Sequence, residues 1–306
     1  MTTTFGEQAP TSGRRAAPGP LRRLAIWLYP RRRLQLGLIL LLPFGWLVLV
    51  YLGSLVVLLL SAFWEQRSGI VTPFAWSLHA FETLFTDEVY RTVAIRTLGT
   101  ASLVTLTDAL LAFPIAYYMA RVASPRVRNA MVVAVLMPLW AAYLVKVFAW
   151  RTILQGNGLL EWALAPLGLG QPWQGLKEDA NAWLVLSYLW LPYMILPLYA
   201  GLERIPASLL EASADLGGRA LTTFRRVILP LSFPALVAGS IFTFSLTLGD
   251  YITPDLVADV KFIGNVIYDN SSLGNPPLAA AYSLVPITIM IVYLFIARRL
   301  GAFESL

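Results

Sequence analysis

Long apolar runs, separated by short stretches that carry the charges, most strongly limit what this chain can fold into. Hydrophobic residues make up 58% of the 306 residues and charged residues only 13%, against about 25% charged residues in an ordinary soluble domain. Each run is long enough for the roughly 20 residues that an α-helix needs to cross a bilayer. The sequence therefore predicts an all-α integral membrane protein with six transmembrane helices, at residues 34–63, 94–120, 129–150, 181–202, 232–253 and 280–297.

The first apolar run follows a segment that is rich in Thr, Gly, Pro and Ala and lacks apolar periodicity. We expect residues 1–33 to form a cytoplasmic tail that is partly disordered. The run at 34–63 exceeds the roughly 7 to 15 apolar residues of a signal peptide, and no small-residue cleavage site follows it. We therefore expect this run to remain in the protein as its first membrane helix.

The distribution of basic residues predicts how the chain is threaded through the membrane. Sixteen of the 23 Lys and Arg residues lie in segments 1–33, 121–128, 203–231 and 298–306. Because cytoplasmic loops are enriched in Lys and Arg, we expect these segments and both termini to be cytoplasmic, and residues 64–93 to form an extracytoplasmic loop. The net charge of +6 does not indicate a nucleic-acid partner, because the arginines cluster at helix ends rather than along one face.

The composition argues against catalysis by the chain itself. There is no cysteine and His79 is the single histidine, which excludes a thiolate or histidine-rich metal site. The lysines at 146, 177 and 261 follow Val, Leu and Val, so none of them ends a glycine-rich phosphate loop. We expect a transport subunit rather than an enzyme, with no catalytic residue, metal or cofactor of its own.

The polar segment 203–231, between the fourth and fifth runs, has the pattern of a helix, a glycine pair and a second helix. Pro206 can open the first helix, because its missing N–H would have no partner there. Gly217 and Gly218 can end it, because glycine adopts the left-handed cap conformation at low cost. A second short helix is expected to follow and to be closed by Pro230.

The first of these helices is predicted to be amphipathic. Glu211 and Asp215 are four residues apart and therefore lie on one side. An apolar stripe is expected on the other side, formed by Leu209, Leu210, Ala214 and Leu216. Such a surface helix is either a solvated connector or a docking element.

The spacing within this segment resembles the EAA loop of permease subunits in bacterial binding-protein-dependent ABC importers. The matching residues are Glu211-Ala212-Ser213, Gly217, Val227 and Leu229-Pro230, with Ser213 in place of the usual alanine and Val227 in place of isoleucine. The resemblance implies a cytoplasmic coupling helix that is seated in a groove of the ATPase subunit. It assigns ATPase coupling to Glu211, Ala212 and Gly217, and we include Asp215, the second carboxylate of the same helix.

The resemblance extends over a permease core at residues 94–297. The motifs GDYITPDL, FIGNVIYD and PPLAAAYSLVPI are similar to the spermidine/putrescine branch, whereas Arg96 stands where asparagine is common. The resemblance implies a polyamine as solute, although relatives that carry an opine or an aminoalkylphosphonate share much of the pattern.

The implied partners are a second permease subunit, similar or identical to this chain, ABC ATPase subunits that bind ATP and Mg²⁺, and an extracytoplasmic substrate-binding protein. A secondary transporter is the alternative from another class, and it would need buried ion sites at the bilayer midplane.

Two carboxylates are candidates for the substrate pathway. Asp108 lies inside the second run, where an ionisable group is a functional hypothesis by default. Its alternatives are a hydrogen bond to Thr105, to Thr107 or to a neighbouring helix, or pairing with a basic residue of the second permease. Asp250, beside Tyr251, lies at the outer end of the fifth run, where a carboxylate and an aromatic ring suit an ammonium group. The alternative for this pair is a carboxylate that caps the helix end, with the tyrosine in the aromatic belt.

Overall fold

The computed structural model of this chain describes most of the sequence in four continuous stretches. They are residues 32–67, 69–156, 158–168 and 177–299, together with residue 29. Almost all of the predicted tail 1–33 and most of the predicted C-terminal segment 298–306 lie outside the described residues, so these two assignments stay predictions. The chain divides into two compact units, Met1–Val57 and Leu58–Leu306.

The first unit is helical from residue 32 onwards. Helix α1 covers Arg32–Trp46, a π-helical segment covers Leu47–Leu52, and α2 covers Gly53–Ser61 and ends in the second unit. The apolar stretch Gln35–Ser61 contains 27 residues, which is enough to cross a membrane. It corresponds to the predicted first span.

The second unit begins with a β-hairpin that the sequence analysis did not predict. Strand β1 (Trp64–Arg67) pairs antiparallel with β2 (Ile70–Trp76), and Gly69 at the turn has a φ of 81°. The β-branched and aromatic residues of IVTPFAW favour a strand. Helix α3 (His79–Thr86) follows, so the predicted loop at 64–93 is largely structured.

Four continuous helices of the second unit are long and apolar enough to cross a membrane. They are Glu88–Val122, Asp179–Glu203, Ala220–Gly249 and Pro276–Arg299. The first contains α4 (Glu88–Tyr117) and a π-helical segment at Tyr118–Val122, and the second lies in α8 (Lys177–Glu203). The third contains α10 (Ala220–Thr223), a π-helical segment at Phe224–Ile228 and α11 (Leu229–Gly249). The fourth is α14 (Pro276–Arg299).

The third predicted span is broken in the middle. Helices α5 (Pro125–Trp140) and α6 (Tyr143–Leu154) meet at 92°. Ala141 and Ala142 between them are extended, with ψ angles of 137° and 134°. If the bent pair counts as one span, the described residues contain six candidate spans, which confirms the predicted fold class. The expectation of one helix over 129–150 was wrong at the two alanines, which follow Pro138 in the last turn of α5.

Shorter helices occupy the connections between the spans. The fifth span ends at Gly249 rather than at residue 253, because a separate short helix begins at Ile252. The short helices are α7 (Leu159–Leu164), followed by a 3₁₀ turn at Ala165–Leu167, α9 (Ala207–Asp215), α12 (Ile252–Val257) and α13 (Ile263–Ser272).

Helix α8 is the centre of the second unit, where it packs against α4 and α11. Small residues bring α8 and α11 close together. A Cβ on Gly201 would overlap the Ala235 side chain, and a Cβ on Gly239 would lie 2.7 Å from the sulfur and 3.1 Å from the Cα of Met194. Close approach of this kind is how membrane helices gain van der Waals contact without a hydrophobic driving force.

We expect Gly239→Ala to destabilise the protein by about 1–3 kcal/mol, because the added methyl group overpacks the contact with Met194. The matched control is Gly99→Ala in α4, where nothing lies within 4 Å of the added Cβ. Thermal unfolding of the two purified variants in detergent would measure the difference. Equal unfolding temperatures for both variants would contradict the close packing described here.

Candidate functional site

The predicted helix in segment 203–231 is present as α9, and its end has a complete hydrogen-bonded cap. Gly217 has a φ of 76°, and its N–H donates to the Ala214 carbonyl at 2.9 Å. The Gly218 N–H donates to the Ser213 carbonyl at 2.8 Å. These two bonds form a Schellman motif, which satisfies carbonyl groups that a helix end otherwise leaves unpaired. The prediction that Gly217 ends this helix is confirmed.

The two glycines are required for different reasons. Gly217 needs its left-handed conformation, and nothing lies within 4 Å of the position of a Cβ. At Gly218 a Cβ would lie 2.6 Å from both oxygens of Ser213, so the requirement is space. The Ser213 hydroxyl in turn lies 2.8 Å from the Thr223 hydroxyl. This hydrogen bond joins α9 to the start of the fifth span, a role that the alanine expected at position 213 could not fill.

The second helix of the segment is not short, as the sequence analysis expected, and Pro230 does not close it. The helix runs from Ala220 to Gly249 without a break. Proline at this point removes a backbone donor and crowds the preceding turn. The π-helical segment Phe224–Ile228 lies directly before the proline, and its wider hydrogen bonds, such as that from the Leu229 N–H to the Phe224 carbonyl, let the helix continue.

The predicted coupling residues are exposed on the outer side of α9. Glu211, Ala212 and Asp215 are all exposed, and the Leu216 side chain is 89% exposed. Together with Leu209, which is also exposed, they form a surface that we call the coupling face. It combines two carboxylates with apolar side chains, as a docking surface does.

The apolar stripe predicted for α9 is not a single face. Leu209 and Leu216 are exposed, whereas Leu210 is half-buried and packs with the inner cluster of the unit. Leu210 lines a cavity of about 490 Å³ that also touches Phe113 and Phe224. The rotation of about 100° per residue in an α-helix places Leu210 roughly opposite the coupling face. The number of apolar residues alone did not show this.

Two arginines fix the base of this loop to the membrane helices. The Arg121 guanidinium donates to the carbonyls of Leu202 and Ile205, each at 2.5 Å. Arg128 donates to the Met119 carbonyl at 3.1 Å and lies 3.4 Å from a Glu203 oxygen. Basic side chains stabilise helix C-termini by satisfying their last carbonyls. The clamp thus ties the end of α8, and with it the start of the loop, to the end of the second span.

Asp108 is fully buried in the second span, with 0% of its surface exposed. Among the described residues, neither carboxylate oxygen accepts a hydrogen bond. Thr105 instead donates to the Ala101 carbonyl, and Thr107 accepts from the Trp183 indole N–H at 3.0 Å. The two threonines therefore do not satisfy Asp108. Full burial within this chain also leaves no surface through which a second permease could pair with it in this conformation.

Helix α8, which packs against the helix α4 that contains Asp108, carries further polar groups without partners among the described residues. Val104, one turn earlier in α4, packs in one cluster with Leu186 and Trp190 of α8. On the same helix, the Ser187 hydroxyl and the Trp190 indole N–H have no partner among the described residues. A carboxylate and donors left unpaired in a membrane interior are costly. The sequence identified the carboxylate but not the two groups of α8.

Asp250 is also buried, but its carboxylate is saturated by groups of this chain. It accepts hydrogen bonds from the Tyr143 hydroxyl at 2.6 and 2.7 Å, from the N–H groups of Ile252 and Thr253 at 3.0 and 3.1 Å, and from the Thr253 hydroxyl at 2.8 Å. The carboxylate thus caps the start of α12 and holds α6 to it. This geometry corresponds to the capping alternative, and Tyr251 beside it stacks on Tyr268 with ring centroids 4.8 Å apart.

The structure gives Tyr143 a role that the sequence analysis did not assign. Its ring stacks on Trp190 with centroids 6.1 Å apart. Its hydroxyl, however, completes the shell of Asp250. The pattern Asp-Tyr-Ile-Thr contained part of the signal, because an Asp before a short helix accepts from the second and third following N–H groups.

Part of the negative charge outside the spans is neutralised within the chain. Lys261 lies 2.9 Å from an oxygen of Asp255 and 3.1 Å from one of Asp269. The hydrogen bond to Asp255 raises the pKa of Lys261 above its ordinary value. The lysine is therefore charged at neutral pH, and fewer of the acids in this region can attract a cationic solute.

We expect Asp250→Ala to destabilise the protein by about 1–3 kcal/mol, because buried donors of Tyr143, Ile252 and Thr253 would lose their acceptor. The exposed carboxylate Asp215, replaced in the same way, is the control and should have little effect. Thermal unfolding of both variants checks this. An Asp250→Ala protein as stable as the control would show that the carboxylate is not a structural cap.

Comparison with known proteins agrees with this architecture. The family described as "Binding-protein-dependent transport system inner membrane component" matches residues 85–303. The chain is 46% identical to the inner membrane ABC transporter permease protein YdcU of Escherichia coli K12 over 289 residues, which cover 89% of this chain and 92% of YdcU. It is 30% identical to the spermidine/putrescine transport system permease protein PotB of Haemophilus influenzae, over 84% of this chain and 90% of that protein.

A solved structure shares the fold. A chain of a bacterial ABC transporter involved in the import of the acidic polysaccharide alginate superposes with a TM-score of 0.68 and 20% identity, over 90% of this chain and 98% of that chain. At this identity the likeness supports the fold alone. From the family match and the two relatives, we conclude that this chain belongs to the inner membrane components of binding-protein-dependent transport systems and is a multi-pass permease subunit of an ABC importer.

Proposed function

We propose that this permease translocates a polyamine-like cation, delivered by an extracytoplasmic binding protein, and that it is driven by ATP hydrolysis in partner ATPase subunits. The observation that carries the transport proposal is the coupling face of α9. Its carboxylates and apolar side chains are exposed, while the helix itself is held by a Schellman cap and by the Ser213–Thr223 bond. A rigid, exposed helix of this kind can transmit a push from a partner to the spans on either side of it.

The orientation follows from the charge distribution. Segments 121–128 and 203–231 carry seven of the basic residues and lie at the same ends of their spans, where Arg121 and Arg128 hold the loop. By the positive-inside rule this end is cytoplasmic. The coupling face then meets the ATPase compartment, and both chain termini are on the same side.

The ATPase pair supplies the free energy, with ATP and Mg²⁺ bound there rather than by this chain. ATP binding can move the permease only by favouring one of two global states. The continuous helix Ala220–Gly249 connects the loop to the membrane interior, and Gly239 on it contacts Met194 of α8. Displacement of α9 can therefore reach the helix pair α8 and α11, which packs against α4, the helix that contains Asp108. A second permease subunit, similar or identical, completes the pathway.

The polyamine proposal has two supports. PotB, a spermidine/putrescine permease by name, is 30% identical over most of both chains, and Asp108 is a buried carboxylate without a partner among the described residues. A cationic amine would supply the missing counter-charge. Asp250 and Tyr251 remain weaker pathway candidates, because the carboxylate is already saturated. The alternative is the same importer class with another small organic solute, such as an opine or an aminoalkylphosphonate. A secondary transporter has less support, since it would leave the coupling face without a partner.

The proposal is tested by purifying the chain with its partner permease and ATPase subunits, reconstituting the complex in lipid nanodiscs and measuring ATP hydrolysis. Spermidine, putrescine, an opine and an aminoalkylphosphonate are compared, each with and without the binding protein. Stimulation by a polyamine that requires the binding protein is the expected result. Stimulation by another solute would overturn the polyamine assignment, and failure to recover an ATPase subunit would overturn the coupling proposal.

Within this assay, Glu211→Ala is expected to weaken ATPase association at least tenfold and to abolish uptake. The binding protein should keep its solute affinity, because only the coupling face changes. Ser208→Ala, an exposed position of the same helix, is the matched control and should behave as wild type. Wild-type uptake by a well-expressed Glu211→Ala complex would show that this carboxylate does not couple the subunits.

For the pathway, Asp108→Asn is expected to lower polyamine uptake at least tenfold while the folded protein becomes no less stable, because the substitution removes only a buried charge. Glu88→Gln, at the exposed start of the same helix, is the control. Uptake rates and thermal unfolding are measured for both variants. Unchanged uptake in a stable Asp108→Asn complex would exclude the carboxylate from the pathway.

A further inference from the structure

The cavity between α9 and the membrane helices lies where two spans end. Phe113 and Tyr117, near the end of α4, form one wall, and Phe224 and Ile228, near the start of the fifth span, form another. Leu210 borders the cavity from α9. The volume is about 490 Å³, whereas an apolar cavity of about 150 Å³ is enough to hold benzene. The cavity therefore has room for a large apolar group.

Water is a poor occupant of this cavity, because a buried water needs about two to four polar partners. None of the side chains that line the cavity in the described part of the chain is charged. The lining residues have two side-chain hydroxyls, those of Tyr117 and Thr223, and the Thr223 hydroxyl is already bonded to Ser213. A lining of this kind favours an apolar occupant.

The cavity adjoins apolar surface on both helices that form its walls. Leu110 lies one turn before Phe113 on the same face of α4, and its side chain is 67% exposed. On the fifth span, Leu221 follows the lining residue Ala220 and is 61% exposed. Because lipid tails are as apolar as leucine, these side chains provide a surface along which an acyl chain can enter the cavity.

Three arginines lie beside the cavity. Arg219 directly precedes the lining residue Ala220, and Arg225 and Arg226 directly follow the lining residue Phe224. Consecutive Cα atoms are about 3.8 Å apart, so the arginine backbones are close to the cavity. All three residues are exposed, and none of their side chains has a hydrogen bond or an ion pair with another described residue.

The positive charge of these arginines is not compensated locally. Arg121 and Arg128, at the same ends of the spans, differ from them because their guanidinium groups bind helix carbonyls. The carboxylates of Glu211 and Asp215 belong to the coupling face, which lies roughly opposite Leu210. Unpaired cationic groups therefore border an apolar cavity.

An anionic phospholipid carries the two groups that complement this arrangement. Its acyl chain is apolar, and its phosphate has no ammonium group beside it, as a zwitterionic lipid has. Arginine binds a phosphate through two parallel N–H···O bonds. Basic pockets between membrane helices bind anionic head groups by the same attraction.

We propose that the cavity beneath α9 holds an acyl chain of an anionic phospholipid, whose phosphate is bound by Arg219, Arg225 and Arg226. The acyl chain packs against Leu210 and supports α9 from its inner side, so that the coupling face stays in place for its partner. This support of coupling rests on the proposed function, whereas the binding of the lipid does not. A contact between the arginines and an ATPase subunit is the alternative, and it is an outcome of the test.

The test counts the lipids bound to the complete complex by native mass spectrometry in detergent, with phosphatidylglycerol or phosphatidylcholine added. Arg225→Gln/Arg226→Gln removes two charges and keeps side chains that form hydrogen bonds. Arg126→Gln/Arg204→Gln is the matched control, because both arginines are exposed, lack a side-chain partner among the described residues and do not line the cavity. Ala220→Leu replaces a methyl group of the lining by an isobutyl group.

Each basic residue near an anionic head group contributes about fivefold in affinity. We therefore expect the wild-type complex to bind phosphatidylglycerol at least about fivefold more tightly than phosphatidylcholine, and Arg225→Gln/Arg226→Gln to lose this preference. The control should keep it. Ala220→Leu should weaken the binding of both lipids, because the larger side chain occupies the space of the acyl chain.

Three results would overturn the lipid site. The first is equal binding of the two lipids by the wild-type complex, and the second is the same loss of preference in the control. The third is an Arg225→Gln/Arg226→Gln complex that loses its ATPase subunits without added lipid, which would show that the arginines contact the ATPase instead.

ATP hydrolysis in nanodiscs separates this proposal from the proposed function. Added phosphatidylglycerol should stimulate hydrolysis by the wild-type complex and by the control, and Arg225→Gln/Arg226→Gln and Ala220→Leu should lose the stimulation. A lipid that binds without changing the rate would overturn its support of α9. If no ATPase subunit associates with the wild-type chain, the proposed function fails, whereas the lipid count on the permease still decides whether the site exists.

Discussion

The bilayer core contains no water to pair with backbone N–H and C=O groups, so a chain that crosses it must satisfy them within its own helices. A proline inside such a helix removes one of these backbone donors. At Pro230 the π-helical segment Phe224–Ile228 lies in the turn before the proline. The wider hydrogen bonds of a π-helical turn let a helix continue where a proline lacks its backbone N–H donor. The fifth span therefore continues directly from the loop 203–231.

Because water is lacking, a polar side chain buried between the spans must find its hydrogen-bond partners within the protein. Asp108 and Asp250 are both buried carboxylates, but Asp250 accepts from Tyr143, Ile252 and Thr253, whereas Asp108 accepts from none of the described residues. The first stabilises the junction between α6, α11 and α12. The second is left without a hydrogen-bond partner among the described residues, so its burial has no structural explanation of the kind that Asp250 has.

The two ends of the membrane spans present different groups at the surface. At one end, Arg121 and Arg128 bind the carbonyls that close α4 and α8, and α9 lies beyond them with its coupling face exposed. At the other end, a hairpin carries exposed aromatic residues around a small polar cavity. Each surface contains groups that this chain leaves unsatisfied or uncovered. Exposed apolar side chains therefore lie on the coupling face and on the hairpin.

The sequence by itself determined the class of the protein, the approximate positions of the spans and the helix that ends at Gly217. These features depend on local properties, namely the length of an apolar run and the ability of Gly217 to adopt a left-handed cap. Only the tertiary structure decided the break at Ala141 and Ala142, the continuation of the helix through Pro230 and the different surroundings of Asp108 and Asp250. Those depend on which groups from distant parts of the chain come together, such as the Tyr143 hydroxyl and the Asp250 carboxylate. Apolar periodicity and residue type contain no record of such pairings, because both describe a single segment at a time.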